Sequence, residues 1–332
     1  MSPEVNHDTW IEKIKSELKG KDLTSFDYTW EGEKISPFEE KLQIKRTLSR
    51  KKNNEWQIGI DIGSVHPNTN AILLKGLEYG ATTFQLIINQ SADWQSVFNQ
   101  VHLDWISSEF QVDTLDIWSE LAVYFSTYPK DELKGICWAK EELQLKLFRT
   151  YQPVLPNFKY LTIHINVLDN ADHIAVQFKK LIDRIITLSD HVEPDIILSN
   201  VALKLLASED LILNISMVRA IRLLWMQALD SMGVKPDRTD LYISATITSI
   251  KSNRSDQMIS SSLMATSMIM GGVDALFIDA PDLCMTNHRW GLMAQHILRD
   301  EAYMHKVNDP LSGSNVIERL TGIIARKIWK LI

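Results

Sequence analysis

Strand-like and helix-like segments alternate from residue 56 to the end of this 332-residue chain, and this alternation limits the possible folds more than any other feature. Short runs of β-branched and aromatic residues are each followed by a longer stretch with apolar residues at helical spacing. The strand-like runs are Trp56–Gly63, Ala81–Ile88, Tyr160–Val167, Leu241–Thr248 and Val273–Asp279. Strands that alternate with helices are joined by crossover connections and lie parallel in one sheet. The sequence therefore predicts an α/β protein.

Helical periods fill the intervals between these runs. The predicted helices are Asn68–Tyr79, Ala171–Leu188, Ser208–Met232, Ser260–Met270, Arg289–Lys306 and Ile317–Ile332. Gly80 and Gly233 follow the last periodic residue of their helices, and Gly271 and Gly272 do the same, as is typical of a glycine that ends a helix.

Residues 94–150 are patterned more weakly. Trp94–Val101 and Lys140–Phe148 indicate helical pieces, Asp116–Phe125 indicates a strand, and Ile196–Leu198 is interpreted as the start of another strand. The total of six or seven strands is compatible with an eight-stranded barrel or with an open doubly wound sheet. Because no glycine-rich phosphate loop follows any strand, we favour a (β/α)8 barrel of the TIM type with an N-terminal extension.

Composition excludes several classes of protein. The net charge is -7 and the pI is about 5.7, which argues against a nucleic-acid binder. The two cysteines match no metal motif and indicate a reducing compartment. No uninterrupted apolar run is long enough to span a membrane, and the N-terminus lacks the pattern of a secretory signal. We therefore expect a soluble, cytoplasmic protein without nucleic-acid or membrane partners.

The first 55 residues differ from the rest and predict a separate helical and extended segment, so that the barrel comprises residues 56–332. Leu42–Lys52 in this segment carries five basic residues (LQIKRTLSRKK). It is interpreted as a solvated linker, with contact to an anion such as the phosphates of coenzyme A as the alternative.

Chemistry-bearing residues form no recognisable constellation. Nine histidines are present, but none forms HxH or HExxH, so no metal site is predicted. His164 lies inside a predicted strand and is a weak catalytic candidate, because side chains near the carboxyl ends of barrel strands form the active sites of such barrels. The simpler interpretation is a hydrogen-bonded core or rim histidine. The serines of Met258–Ser262 are interpreted as helix caps, with an anion held by backbone N–H groups at the helix start as the alternative. The methionines of the same region are interpreted as core.

Four collinear segments carry a resemblance that extends over nearly the whole chain. They are Leu18–Phe38, Ser216–Trp225 (SMVRAIRLLW), Ser262–Asp279 and Gln295–Thr321, which contains DPLSGS and ERLT. This set resembles the methylmalonyl-CoA mutase family. The residues that match its motifs in the second and fourth segments are Arg219, Ala220, Arg222, Trp225, Val307, Asp309, Pro310, Gly313, Ser314, Glu318, Leu320 and Thr321.

The resemblance implies a specific architecture and activity. In this family a (β/α)8 barrel encloses acyl-CoA, and a separate domain grips adenosylcobalamin with a D-x-H-x-x-G loop. The enzyme interconverts methylmalonyl-CoA and succinyl-CoA through radicals. Many bacterial members are heterodimers of a catalytic large subunit and a similar, inactive small subunit.

Several departures place this sequence with the small subunits. D-x-H-x-x-G does not occur, so we expect this chain to lack the cobalamin domain and to bind no cofactor itself. The family's segment with a substrate-facing tyrosine falls near Trp56–Asp61, which has none. His66 and Pro67 instead precede the next helix, as in the small-subunit pattern.

Other polar positions of the catalytic pattern are also replaced. The residues at these positions are Asn200 for an arginine, Ala245 for a histidine, Ile247 for a glutamine, Ser260 for an arginine, and Phe277 and Asp274 for a histidine and a glutamine. The family's G-Y-H motif falls near His164–Leu168, and only a shifted alignment keeps His164 as its histidine. Such side chains make strong charge-assisted contacts to substrate.

Three hypotheses follow from the resemblance. The first is a structural small subunit that forms a heterodimer with a catalytic large subunit and is inactive alone. The second is a working barrel that uses cobalamin carried by a separate chain. The third is an acyl-CoA-binding or regulatory module. No catalytic, cofactor-binding or metal-binding residue is assigned beyond the weak candidate His164.

Overall fold

The computed structural model of the protein describes residues 7–39, 53–234, 241–249, 251, 253–279 and 285–332. Eleven strands occur in these residues, two in an antiparallel hairpin and nine in one parallel sheet. They are β1 (Tyr28–Trp30), β2 (Glu33–Ile35), β3 (Gln57–Ser64), β4 (Thr83–Ile88), β5 (Ser107–Val112), β6 (Lys134–Ala139), β7 (Phe158–Lys159), β8 (Leu161–Asn166), β9 (Val201–Leu206), β10 (Tyr242–Ile247) and β11 (Ala275–Ile278).

The order of the strands closes the sheet into a barrel. The hydrogen-bonded order is β7-β6-β5-β4-β3-β11-β10-β9-β8, and β7 and β8 are separated by Tyr160 alone. β7 and β8 therefore together occupy a single position in the barrel, the fifth in chain order. β7 pairs with β6, and β8 pairs with β9. Eight strand positions result, which confirms the predicted (β/α)8 barrel.

Gln144 closes the gap that this divided strand leaves between β6 and β8. Its side-chain amide donates to the carbonyl oxygens of Ala139 at 2.9 Å and Thr162 at 2.8 Å, and it accepts from the Thr162 N–H at 3.0 Å. Because buried backbone groups must be paired, this side chain replaces hydrogen bonds that the two strands do not make to each other.

Helices surround the barrel and follow its strands. They are α1 (His7–Glu17), α2 (Thr69–Glu78), α3 (Trp94–Val97), α4 (Leu115–Phe125), α5 (Glu141–Tyr151), α6 (Ala171–Ser189), α7 (Pro194–Ser199), α8 (Leu211–Ser231), α9 (Arg254–Gly271), α10 (Met285–His296) and α11 (Asn315–Trp329). The predicted helix to residue 306 ends earlier, because α10 passes into a π-helical turn at Ile297–Glu301.

The strand predicted at Asp116–Phe125 is wrong. This segment forms α4, whose N-cap Thr114 accepts from the Ile117 N–H. Its buried residues Trp118, Leu121 and Phe125 are three and four positions apart, which is the helical period.

The strand start predicted at Ile196–Leu198 is also wrong. These residues lie in α7, which has Pro194 at its first turn, and β9 begins only at Val201. A short apolar run is ambiguous between the two structures, and proline is favoured at the first helical position.

The serines of Met258–Ser262 lie inside α9 and do not cap it. The helix begins at Arg254, and Asn253 accepts from the Ser255 N–H as its N-cap. Met264 and Met268 are buried as predicted, but Met258 is 37% exposed.

The motif residues of the resemblance have structural contacts. The Arg219 guanidinium on α8 pairs with Asp309 and with Glu318 on α11, and all three side chains are largely or fully buried. Arg222 donates to the Leu241 carbonyl at 3.0 Å and pairs with Asp274 at 3.0 Å. These contacts fasten α8 to α11 and to the amino-terminal ends of β10 and β11.

Candidate functional site

Two rows of polar side chains occupy the interior of the barrel. Asp61, Gln85 and Glu109 are register partners across β3, β4 and β5. His164, Lys204 and Ser244 are register partners across β8, β9 and β10. Because side chains alternate between the two faces of a strand, each row points to one side of the sheet. We call these six residues the interior cluster.

An ion pair between Glu109 and Lys204 joins the two rows. The Glu109 side chain is fully buried, and its Oε2 lies 3.4 Å from Lys204 Nζ. Glu109 also accepts from Trp138 Nε1 at 2.9 Å and from Ser244 Oγ at 3.3 Å. Lys204 donates to Gln85 Oε1 and lies 4.4 Å from the centre of the Trp138 ring.

Both members of the pair are removed from water. Burial raises the pKa of Glu109 and lowers the pKa of Lys204, and the attraction between the two charges counteracts each shift. The pair is held by hydrogen bonds with Trp138, Ser244 and Gln85. Its chemistry is that of a structural pair, since Lys204 Nζ is engaged on several sides.

Asp61 completes one end of the interior cluster. Its carboxylate accepts from the Gly63 N–H at 3.0 Å and from Gln85 Nε2 at 3.2 Å. Burial raises the pKa of Asp61 to about 6, with nearby negative charges adding to the rise and Lys204 opposing it. The carboxyl group therefore titrates close to neutral pH.

His164 lies in the mouth of the barrel, where its side chain remains exposed although protein surrounds much of it. Its ring packs edge-on against Trp138, with ring centres 4.9 Å apart. Desolvation by the surrounding protein and the positive charge of Lys204 lower the pKa of His164 to about 4. The imidazole is therefore neutral at physiological pH and can accept a proton or a hydrogen bond, but no carboxylate among the described residues pairs with it to make it a stronger base.

Large side chains fill the axis beneath the mouth. Ile136, Trp138 and Ala202 form an apolar cluster with Tyr242 packed against it. A side chain at Gly59 would place its Cβ 2.5 Å from the ring of Phe277, so glycine is required for Phe277 to fit. The interior therefore resembles a packed core more than a passage.

The replaced catalytic positions do not come together at the mouth. Ala245 and Ile247 belong to the core between strands and helices. Asn200 binds the backbone of Phe158 and Tyr160, and Ser260 donates to Glu209. Of the predicted site residues within the described part of the chain, His164 alone belongs to the interior cluster.

Sequence reasoning missed the interior cluster. Its signal is the polar alternation of SSEFQV in β5 and the lysine within VALKLL in β9. A charged residue at every second position of a strand faces one side of the sheet, and in a barrel that side is the interior.

The described residues do not fit adenosylcobalamin. His164, the histidine that the mouth offers, is held against the barrel wall by Trp138. The D-x-H-x-x-G pattern is absent from the 332 residues.

Helix α8 is long and apolar enough to cross a membrane, but 72% of its apolar window is buried in the protein. It packs against α9 and α11 as a core helix, so it is no evidence for a membrane span.

The solved structures that are similar to this chain are distant in sequence. A dihydropteroate synthase from Xanthomonas albilineans in complex with 7,8-dihydropteroate is 13% identical, with 77% of this chain and 96% of that chain covered and a TM-score of 0.40. A tryptophan synthase alpha chain from Legionella pneumophila subsp. pneumophila is 12% identical, with 83% and 93% covered and a TM-score of 0.35.

Curated relatives carry mutase names. The methylmalonyl-CoA mutase small subunit of Porphyromonas gingivalis is 23% identical over 99% of this chain, which spans 62% of the length of that relative. A probable methylmalonyl-CoA mutase small subunit of Mycobacterium bovis is 25% identical over 44% of this chain and 26% of its own length.

The family model described as methylmalonyl-CoA mutase matches residues 181–332. This region contains Arg219, Asp309 and Glu318, the motif residues that fasten α8 to α11. The family-model match and the relative aligned along the whole chain both show that this chain is similar to methylmalonyl-CoA mutases.

Proposed function

We propose that this chain is a non-catalytic small subunit that pairs with a catalytic large subunit of methylmalonyl-CoA mutase. The observation that carries the proposal is the filled barrel interior, where Trp138 and the Glu109–Lys204 pair occupy the axis. A barrel that encloses acyl-CoA needs free space along this axis, and these side chains take it.

The distribution of retained and replaced residues supports the same proposal. Arg219 and Glu318 are retained and make buried scaffold contacts. The aligned polar positions of the catalytic pattern carry Ala245 and Ile247. Loss of one charge-assisted contact to a transition state commonly costs about two or three orders of magnitude in rate. A barrel that has lost several such contacts is therefore expected to be inactive and to serve as a scaffold.

The proposal extends to assembly and location. The partner is the large catalytic subunit in a heterodimer, adenosylcobalamin is bound in the complex by that partner, and the complex is cytoplasmic. The name shared by the small-subunit relatives supports the pairing. We further propose that residues 1–55 form a segment separate from the barrel of residues 56–332.

Mutase activity with adenosylcobalamin and methylmalonyl-CoA tests the proposal. The chain alone is expected to be inactive, and mixing it with the large subunit from the same source is expected to give a stable, active pair on size-exclusion chromatography. Failure to associate with the large subunit would contradict the proposed pairing. Turnover by this chain with a separate cobalamin protein would contradict the non-catalytic role.

One observation favours the alternative of a working barrel with cobalamin on a separate chain. The neutral imidazole of His164 is exposed in the barrel mouth, where a substrate would meet it. If turnover is found, His164→Ala is the variant to measure first, and a large fall in activity would assign this histidine a catalytic role.

A further inference from the structure

A groove between α8 and α11 combines apolar side chains with two free cations. Its volume is about 330 Å³. Arg326 and Lys330 are exposed at this groove, and neither forms an ion pair within the described part of the chain. The apolar side chains that line it are Leu223, Leu224, Ala325 and Trp329. We call this surface the basic groove.

A second exposed apolar surface lies on the first half of α9. Ile259 is 61% exposed and Leu263 is 48% exposed. Asp256 precedes them on the same face, because positions three and four apart align along a helix. Its carboxylate is exposed and pairs with no cation among the described residues. We call Asp256, Ile259 and Leu263 the acidic stripe.

Neighbouring cations leave the charge of the acidic stripe uncompensated. Lys251 Nζ is paired with Glu209, at 2.7 Å from Oε1. Arg254 is two positions before Asp256 and therefore points to another side of α9, where it lines a separate cavity with Trp290. A molecule that approaches the stripe meets one free carboxylate beside two exposed aliphatic side chains.

The two surfaces are complementary but lie too far apart to meet within one molecule. The acidic stripe is beside the start of α8, since Ser260 Oγ donates to Glu209 at 2.9 Å. The basic groove is beside Gln227, which is roughly 25 Å further along α8 than Leu211. Contact between the stripe and the groove therefore requires two molecules.

We propose that this chain associates with a second copy of itself, with the acidic stripe of one protomer in the basic groove of the other. Ile259 and Leu263 then cover the apolar lining of the groove, and Asp256 lies near Arg326 and Lys330. Because both surfaces flank α8, a single two-fold axis can form this contact twice and close a dimer. The proposal is independent of the pairing with a large subunit, because it concerns this chain alone.

Sedimentation velocity of the full-length chain tests the self-association. Between roughly 1 and 200 µM a reversible monomer–dimer equilibrium is expected, because so small an interface gives a weak complex. Raising the salt concentration from about 0.05 to about 0.5 M is expected to weaken it several-fold by screening the exposed charges. A chain that stays monomeric over this range, or a dimer that is insensitive to salt, would overturn the proposal.

Charge reversal identifies the two surfaces. Asp256→Arg and Arg326→Asp are each expected to weaken self-association about tenfold, since each brings like charges together. An equimolar mixture of the two variants is expected to regain it, because every contact in the mixed dimer again joins opposite charges. Asp116→Arg and Arg149→Asp are matched controls, since these exposed residues lie in the first turn of α4 and the last turn of α5. Circular dichroism checks that each variant is folded.

An uncharged substitution gives an independent measurement. Ile259→Ser, at an exposed position, is expected to weaken the dimer several-fold without loss of folding. Unchanged association in the reversal variants, an equal loss in the controls, or no recovery in the mixture would each overturn the proposal. A large subunit that occupies the groove instead would lose affinity for Arg326→Asp while the unmodified chain stays monomeric, and this outcome would overturn it too.

Discussion

Lys204 and Glu109 depend on each other at the centre of the barrel. Lys204→Met leaves the carboxylate of fully buried Glu109 without its cation, and breaking a buried pair in this way commonly costs about 3–5 kcal/mol of unfolding free energy. Replacing both partners, as Glu109→Gln with Lys204→Met, removes the uncompensated charge. We expect the double variant to be more stable than the single variant by about 2 kcal/mol.

Urea unfolding of the single and double variants measures this coupling. Lys179→Met is a matched control, since Lys179 is an exposed lysine on α6. Its unfolding free energy is expected to stay within about 0.5 kcal/mol of the unmodified chain. A double variant no more stable than the single variant would show that the charges of Glu109 and Lys204 are not coupled.

The raised pKa of Asp61 predicts that the unfolding free energy falls as the pH rises. Its pKa is raised from 3.8 to about 6 in the folded protein, so the folded state holds this proton more tightly than the unfolded state. The stabilisation from this proton is fully present below about pH 4 and is lost as the pH rises through about 6. Since one pKa unit corresponds to about 1.4 kcal/mol, the change amounts to about 3 kcal/mol.

Asp61→Asn removes this titration and tests the prediction. The unfolding free energy of the variant relative to the unmodified chain is expected to rise between pH 4 and pH 7. A constant offset from the altered hydrogen bond to Gln85 does not affect this slope. Parallel pH curves for the two proteins would contradict the raised pKa.

At the scale of elements, the contact between β6 and β8 depends on the Gln144 side chain of α5. Gln144→Met keeps a similar side-chain volume but leaves the Thr162 N–H and the carbonyl oxygens of Thr162 and Ala139 without this partner. Unpaired buried backbone groups cost about 1–3 kcal/mol each, so we expect a loss of roughly 2–4 kcal/mol.

Hydrogen exchange at the Thr162 amide gives a local measurement of this effect. Exchange there is expected to accelerate by at least about tenfold in Gln144→Met. Gln95→Met is the control, because Gln95 is an exposed glutamine on α3. If Thr162 exchanged at the same rate in Gln144→Met, the seam between β6 and β8 would be held by other contacts.

The elements that sequence patterns predicted correctly are those with strong periodicity. β8, α6 and β10 follow alternation or helical spacing, and their bounds lie within a few residues of the predicted ones. β5 was missed because the barrel interior accepts polar and charged side chains, which interrupt the apolar run used to find the strand. β6 was also missed; it is only six residues long and begins with Lys134 and Gly135. Glu109 is acceptable in β5 only because Lys204 faces it across the barrel, about 95 positions later in the chain.

The candidate site was less predictable than the fold. His164 was correctly predicted to lie within a strand, β8, but its catalytic role stays a prediction. The filled axis depends on contacts between distant strands, such as Phe277 against Gly59, which no local pattern reports. The motif residues identified the family, but their contacts are structural, so they say little about the interior.

At the scale of the whole molecule, a scaffold role predicts different effects for variants in two sets of buried residues. The interior cluster fills the barrel, whereas Arg219, Asp309 and Glu318 fasten its outer helices. If the chain serves only to pair with a large subunit, the double variant Glu109→Gln with Lys204→Met should support full mutase activity in the mixed complex, provided that it folds. Activity per complex is the quantity to compare, because it is insensitive to modest losses of stability.

Arg219→Met is the contrasting variant. It leaves Asp309 and Glu318 without their cation and is expected to cost about 3–5 kcal/mol, so less complex should form while each complex that forms keeps its activity. A fall in activity per complex in the interior double variant, with Arg219→Met unaffected by the same measure, would locate chemistry inside this barrel. That result would contradict the scaffold role and would direct attention to His164, which packs against Trp138 beside the altered pair.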